Sequence, residues 1–240
     1  MGNPVVILDV WKVSTRHVPR AFFNMGLHRA KLRKTSELRF WKLLGTGSGR
    51  TFTMRDADPH HWGLLTVWSS LADYQQFQQS AVVQSWHRIA LNHGHFELEP
   101  LRSKGTWAGR EPFDSEQVSR WEGPTAALTR ARIKVRWWLA FWRSVPPVST
   151  DLHKTPGLIT SLGIGEAPVG LQGTFSVWRS NDAITQFASR QAPHQQVVER
   201  THQTNWYAEE LFARFKVIRT SGELFGVDLN SQLESATDDV

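Results

Sequence analysis

This 240-residue sequence predicts an α+β fold: two tandem ferredoxin-like (βαββαβ) modules packed as a pseudo-dimeric α+β barrel. Three observations predict it. TVWSSLADYQQF (66–77) matches SVWRSNDAITQF (176–187) at an offset of 110, with Val67/Val177, Trp68/Trp178, Ser70/Ser180, Gln76/Gln186 and Phe77/Phe187 identical. FWKLLGTGSG (40–49) matches ITSLGIGEAP (159–168) in a Leu-Gly-x-Gly core at an offset of 118, and the difference of eight fits an extra loop around RDADPHHWG in the first copy. Each copy also reads as strand, helix, strand, strand, helix, strand.

In the first copy VVILDVWKV is a strand, and HVPRAFFNMGLHRAKL places Val18, Phe22 and Met25 at helical spacing. LRFWKLL and WGLLTVWS alternate as strands. Tyr74, Phe77, Ala81, Trp86 and Ile89 build one helix from about Asp73 to Leu91, and a strand follows from His95 to Arg102. The second copy gives strand TAALTRARIKV, a helix around WWLAFWRS, strands LITSLGI and GTFSVWRS, helices from Asp182, and the closing strand YAEELFARFKV. In that last strand Tyr207, Leu211, Ala213, Phe215 and Val217 share one face and Glu210, Arg214 and Lys216 the other. Trp206 ahead of it and Phe212 among the charges give both faces large groups. One face is expected to pack the helices of its own module and the other to border a pocket.

The division that follows is an N-terminal module over 1–107, a linker over 108–124, a C-terminal module over 125–222 and an acidic, partly disordered tail over 223–240. The tail carries five acidic and no basic side chains, so the net +6 of the chain is +11 over residues 1–222. A hydrophobic fraction of 40% supports a real core. With no cysteine, disulfides, thiolate zinc sites, iron–sulfur clusters and a cysteine nucleophile are all excluded. No basic leader or membrane-length apolar run is present, so the expected location is cytoplasmic, with peripheral membrane contact left open.

Ten histidines invite metal readings. His60-His61 falls in the extra loop and is expected to be solvated. His93-x-His95 has strand spacing that can chelate but lacks an obvious third ligand. His87 on an amphipathic helix reads as a surface histidine. His194 follows Pro193, which can open a new helix, and so enters the first turn of HQQVVERTHQ ahead of the closing strand. His202, eight residues on, lies roughly 12 Å further along that helix. LGTGSGRT lacks the Gly-Lys-Ser/Thr ending of a phosphate loop. TRARIKVRWWLAFWR puts Arg130, Arg132, Lys134 and Arg136 on one strand face, as either an exposed edge or a nucleic-acid stripe.

LTRARIKVRWWLAFWRSVPPVS, PGLITSLGIGEAPVGLQGTFSVWRS and HQQVVERTHQTNWYAEELFARF resemble the spheroidene monooxygenase family of carotenoid biosynthesis. The likeness covers most of 125–217, with FWRSVPPV, GIGEAPVGLQGTFS and WYAEELFARF its most specific pieces. It implies a haem-dependent monooxygenase that introduces a keto group next to the end of a long acyclic carotenoid, using O2 and electrons from reduced ferredoxin. The family's histidine falls on His194, which with the helix argument makes it the catalytic and iron-ligating residue of a haem b site. Arg200 is the accompanying arginine.

Without cysteine, such a haem must be held by histidine and the reductant must be a separate protein, for which the basic body offers a surface to an acidic ferredoxin. Arg143, Arg200 and Arg214 are available for propionates, and sequence does not choose between them. Trp206 and Phe212, with Trp138, Phe141, Phe175 and Phe187, could line a pocket or simply fill cores. The expected partners are ferredoxin and an apolar small molecule, with no nucleic acid and with a homo-oligomer left open. The competing readings are a related haem dehydratase or monooxygenase acting on a small non-carotenoid substrate, a non-catalytic haem or lipid carrier, and a nucleic-acid module.

Overall fold

In the computed structural model the described residues are 4–47, 57–113, 121–133, 155–166, 173–190 and 207–238. Their order is β1 (Val5–Val13), α1 (Val18–Arg33), β2 (Leu38–Gly47), β3 (Ala57–Trp68), α2 (Leu71–Phe77), α3 (Ala81–His87), β4 (Ala90–Gly105), β5 (Thr125–Ile133), β6 (Leu158–Gly165), β7 (Gly173–Trp178), α4 (Asn181–Arg190), β8 (Tyr207–Leu224), β9 (Val227–Asp228) and α5 (Leu229–Asp238). The helix expected around WWLAFWRS lies outside the described residues.

Where one helix is expected from Asp73 to Leu91, two short ones form. Ser70 caps the first by accepting from the Asp73 amide, and Ser80 caps the second by accepting from the Val83 amide. The second helix ends at His87, and β4 begins at Ala90 rather than at His95. Within the stretch expected as an acidic tail, residues 227–238 form a short strand and a helix. Phe225 and Gly226 turn the chain at positive φ into β9, and α5 seats Leu229 in the core with Leu233 against it.

The strands form an antiparallel, sheet-dominated α+β fold in the order β4-β1-β3-β2-β6-β7-β5-β8-β9, with β4 paired also to β8. Each of the eight long strands therefore has a hydrogen-bonded neighbour on both sides, with β2 and β6 joined over three residue pairs only. The registers of the two halves match: Val5 faces Trp68 as Thr125 faces Trp178, and Leu43 faces Leu64 as Gly163 faces Thr174. Position 43 thus corresponds to 163, an offset of 120 and not the 118 of the Leu-Gly-x-Gly match. Trp68 and Trp178 each donate their indole N–H to the hydroxyl two residues earlier, on Thr66 at 2.8 Å and on Ser176 at 2.9 Å.

Two ladders join the halves. The short one is β2–β6, through Gly45–Gly165, Thr46–Ile164 and Gly47–Gly163, so the two Leu-Gly-x-Gly segments pair with each other. The long one is β4–β8, from Gly94–Gly222 to Gly105–Leu211, with Glu99 opposite Lys216 in a 2.8 Å ion pair. Gly105 and Gly222 have positive φ, and a Cβ on either would collide with the carbonyl oxygen of Glu210 or His93 respectively.

One core lies between the strands of the two halves: Val6, Leu8, Leu65, Val67, Phe96 and Leu98 from the first meet Leu128, Phe175, Leu211, Ala213, Phe215 and Val217 from the second. This corrects the expectation for the closing strand, whose apolar face packs strands of the other half and not the helices of its own. Sheet faces can bury large side chains against each other about 10 Å apart, so the pairing of two apolar faces wins. A second core, with Ile7, Trp11, Leu43, Trp62, Leu64 and Trp86, fills the space between the first sheet and its helices.

At one end of the shared core Arg130 is only 3% exposed, which corrects its reading as one of an exposed row of cations. Its guanidinium donates to Glu209 Oε2 at 2.7 Å and to Glu166 Oε1 at 2.8 Å, and lies over the Trp107 ring. Glu166 also accepts from Trp107 Nε1 at 2.6 Å and pairs with Lys42 at 2.7 Å, and Glu209 accepts from the Gly109 amide at 2.8 Å. Removing the cation leaves the buried Glu209 without its ion-pair partner and Glu166 with Lys42 alone. Arg130→Ala is expected to lower unfolding free energy in urea by about 3–5 kcal/mol.

Burial alone would raise the pKa of Glu209, but the Gly109 amide, Arg130 and the Ala108 amide outweigh it and lower the value from 4.5 to about 2. A depressed carboxylate contributes stability that is complete above the unfolded value and is lost as pH falls through the folded one. The contribution should therefore disappear between pH 4.5 and about 2. In acid titrations followed by circular dichroism, Glu209→Gln is expected to flatten that limb.

Candidate cofactor face on the second half

The outer faces of the two sheets have the same register and different side chains. In the first half Ile7, Trp11, Leu43 and Leu64 point outward into the helix-covered core. The register places Ala127, Ala131, Gly163 and Thr174 at the corresponding positions of the second half. Thr66 is matched by Ser176, and Asp9 by Thr129. Four large apolar groups are thus replaced by small ones on β5, β6 and β7.

At the margin of this face Trp178 stays large and packs against Phe187 of α4 at 5.2 Å between centroids. Phe212 and Arg214 project from the outward side of β8, alternating with the inward Leu211, Ala213 and Phe215. Phe212 is 44% exposed. Arg214 Nη1 donates to Asn181 Oδ1 at 2.8 Å and to Thr185 Oγ1 at 3.4 Å, both on α4. Burial and the charge of Arg102 lower its pKa. A half-buried guanidinium held by neutral oxygens beside small side chains is suited to a ligand carboxylate.

The structure thus brings Phe212 and Arg214 to one face. His194, Arg143, Arg200 and Trp206 lie outside the described residues. Phe175, grouped with them as a pocket aromatic, is instead buried in the shared core against Phe96 at 5.3 Å. The contrast between the two outer faces escaped the sequence reading because Ala, Gly and Thr in a strand carry no motif. Aligning the copies by strand face would have found it.

Two histidine expectations change in the first half. His61 is buried, 2.6 Å from Asp58 Oδ2 and with its ring 4.5 Å from that of Phe225, because β3 starts at Ala57 and carries it inward. His93 and His95 do have a third partner, Asp9, directly across β1–β4 from His95. A lone carboxylate inside the apolar strand VVILDVWKV was the signal, since a buried charge must find counter-groups.

No family model matches the chain. Among curated proteins it is 33% identical over 229 residues to the spheroidene monooxygenase of Rhodobacter capsulatus, covering 94% of this chain and 95% of that one. It is 33% identical to that of Cereibacter sphaeroides, over 85% of this chain and 64% of the relative. Among solved structures, an aldoxime dehydratase crystallised with butyraldoxime superposes with a TM-score of 0.54 at 9% identity, over 90% of this chain and 80% of that one. That likeness is one of fold.

Proposed function

The chain belongs to the spheroidene monooxygenase family and is by that membership an oxidoreductase, and on this premise we propose that it is a haem-dependent, ferredoxin-coupled monooxygenase that converts a long apolar acyclic carotenoid to a keto product. The observation that carries the haem site is the replacement of Ile7, Trp11, Leu43 and Leu64 by Ala127, Ala131, Gly163 and Thr174 on the second outer face. The matched registers support the accompanying reading of the architecture as two tandem ferredoxin-like modules, 1–107 and 125–222, closed as a pseudo-dimeric barrel.

Haem b, when bound, supplies the oxygen-activating iron. The chain's own residues do the rest. Small side chains on β5, β6 and β7 would admit a flat macrocycle, and His194, on which the family's histidine falls, would be the iron ligand in a chain with no thiolate to offer. Arg214, Arg200 and Arg143 would be available to hold propionates, Arg214 from β8, where it is hydrogen-bonded to Asn181 of α4. Trp178, Phe187, Phe212 and Trp206 give the substrate an apolar, water-excluding wall. Electrons come from a separate iron–sulfur protein, since none can be housed here, and the +11 body attracts an acidic one.

Helix α1 supports a membrane-facing role. At 100° per residue Pro19, Phe23, Gly26, Leu27 and Ala30 lie opposite the buried Ala21, Asn24, Met25, His28 and Leu32. Phe22, Phe23 and Leu27 are 56%, 58% and 49% exposed, and Arg20, Arg29, Lys31 and Arg33 border them with no acidic residue on the helix. An apolar stripe between cations suits an anionic bilayer, where an apolar substrate dissolves.

Protein expressed with haem supply is expected to show a stoichiometric Soret band that His194→Ala abolishes and His202→Ala spares. Thr174→Leu, which restores the first-half side chain, should reduce haem uptake with an unchanged far-ultraviolet circular dichroism spectrum. If the wild type takes up no haem, the mechanism is wrong. In a separate measurement, the wild type should co-sediment with phosphatidylglycerol vesicles, and Phe23→Ser with Leu27→Ser should not.

A further inference from the structure

We propose that the first half holds one divalent first-row transition-metal ion between Asp9 Oδ1, His93 Nε2 and His95 Nδ1, a site separate from the haem face. The three atoms come from two adjacent strands in fixed register. Asp9 faces His95 across β1–β4, and His93 follows the same face of β4 at the two-residue strand period. Asp9 Oδ1 lies 2.8 Å from each imidazole nitrogen, and all three donor atoms fall within 4.8 Å of one another. Cis ligands with metal–ligand bonds of about 2.1 Å stand roughly 3 Å apart, so an ion can enter with little rearrangement.

The surroundings hold those rings in place. Trp11 stacks on His93 at 5.3 Å with planes 7° apart, and His87 meets His93 edge-on at 4.9 Å. Tyr74 stacks on His95 at 5.6 Å, and its hydroxyl donates to Asp9 Oδ2 at 3.1 Å. Outer partners that fix ring orientation and hold the second carboxylate oxygen are what a preorganised metal site requires.

Charge favours a cation. Asp9 is buried, and its hydrogen-bond and ion-pair partners among the described residues are His93, His95 and Tyr74, with no lysine or arginine. A divalent ion would supply the buried carboxylate with a counter-charge that no lysine or arginine provides.

Access is provided as well. His93 lines a cavity of about 460 Å³ with Asn92, Glu223, Asp228 and Asn230, polar and acidic groups that admit water and draw cations. Two histidines and one carboxylate leave coordination positions open for water. The second half has no counterpart, since Thr129, Glu210 and Phe212 occupy the corresponding positions.

Cobalt(II) titrated into the chelator-treated, full-length protein is the direct test, read by visible d–d absorption and calorimetry. The expected result is one equivalent bound, with binding lost in His93→Ala and retained in His60→Ala and His194→Ala. Tyr74→Phe should bind about tenfold more weakly, as for other outer-shell losses. Asp9→Asn is a second ligand variant whose folding is checked by circular dichroism, and His93→Ala keeps the test decisive because His93 is half-buried. Unchanged binding in His93→Ala, or no cobalt uptake by the wild type, overturns the proposal and leaves a hydrogen-bonded cluster only.

Discussion

A buried guanidinium between two carboxylates is the constraint on which the two-half arrangement depends. Arg130 sits inside, where an unpaired charge would cost several kcal/mol, and its compensation comes from elsewhere in the chain: Glu166 at the end of β6 and Glu209 at the start of β8. Glu166 passes the connection on to Lys42 and Trp107 of the first half. The network therefore stands beside the β2–β6 ladder, the shorter of the two backbone connections, and reinforces it. Breaking any one partner strands the others.

Around that joint the two halves use one backbone plan for different purposes. The inward faces are alike, both apolar and packed together. The outward faces have diverged. The first is filled, with Trp11 stacked on Trp86 at 5.4 Å and Trp62 beside them, and interior packing of this density leaves little room for a large ligand. The second presents alanine, glycine, threonine and serine on β5, β6 and β7.

Much of this was legible in the sequence because it rests on period. The alternation in VVILDVWKV and YAEELFARFKV gave the strands, and the match of TVWSS with SVWRS located β3 and β7. What could not be read was anything decided by neighbours distant in the chain. Arg130 looked like one of a row of surface cations, and only the closeness of residues 166 and 209 makes it buried. His93 and His95 lacked a third ligand because Asp9 lies 84 residues before His93. The break at Ser80 was missed because a serine cap inside an amphipathic pattern resembles an ordinary helix position until the chain leaves the axis.

The Glu99–Lys216 pair carries a different kind of information. The registers β1–β4 and β5–β8 set Val6 opposite Leu98 and Ala126 opposite Phe215, so in the two-module reading positions 99 and 216 are the same site in each copy, facing one another. In a symmetric dimer of identical chains such a site meets itself, glutamate against glutamate or lysine against lysine, and is confined to neutral residues or suffers repulsion. Joining the copies in one polypeptide removes that restriction. Between identical chains an attractive pair at that position is ruled out, so it marks a place where covalent linkage allowed symmetry to be broken for stability.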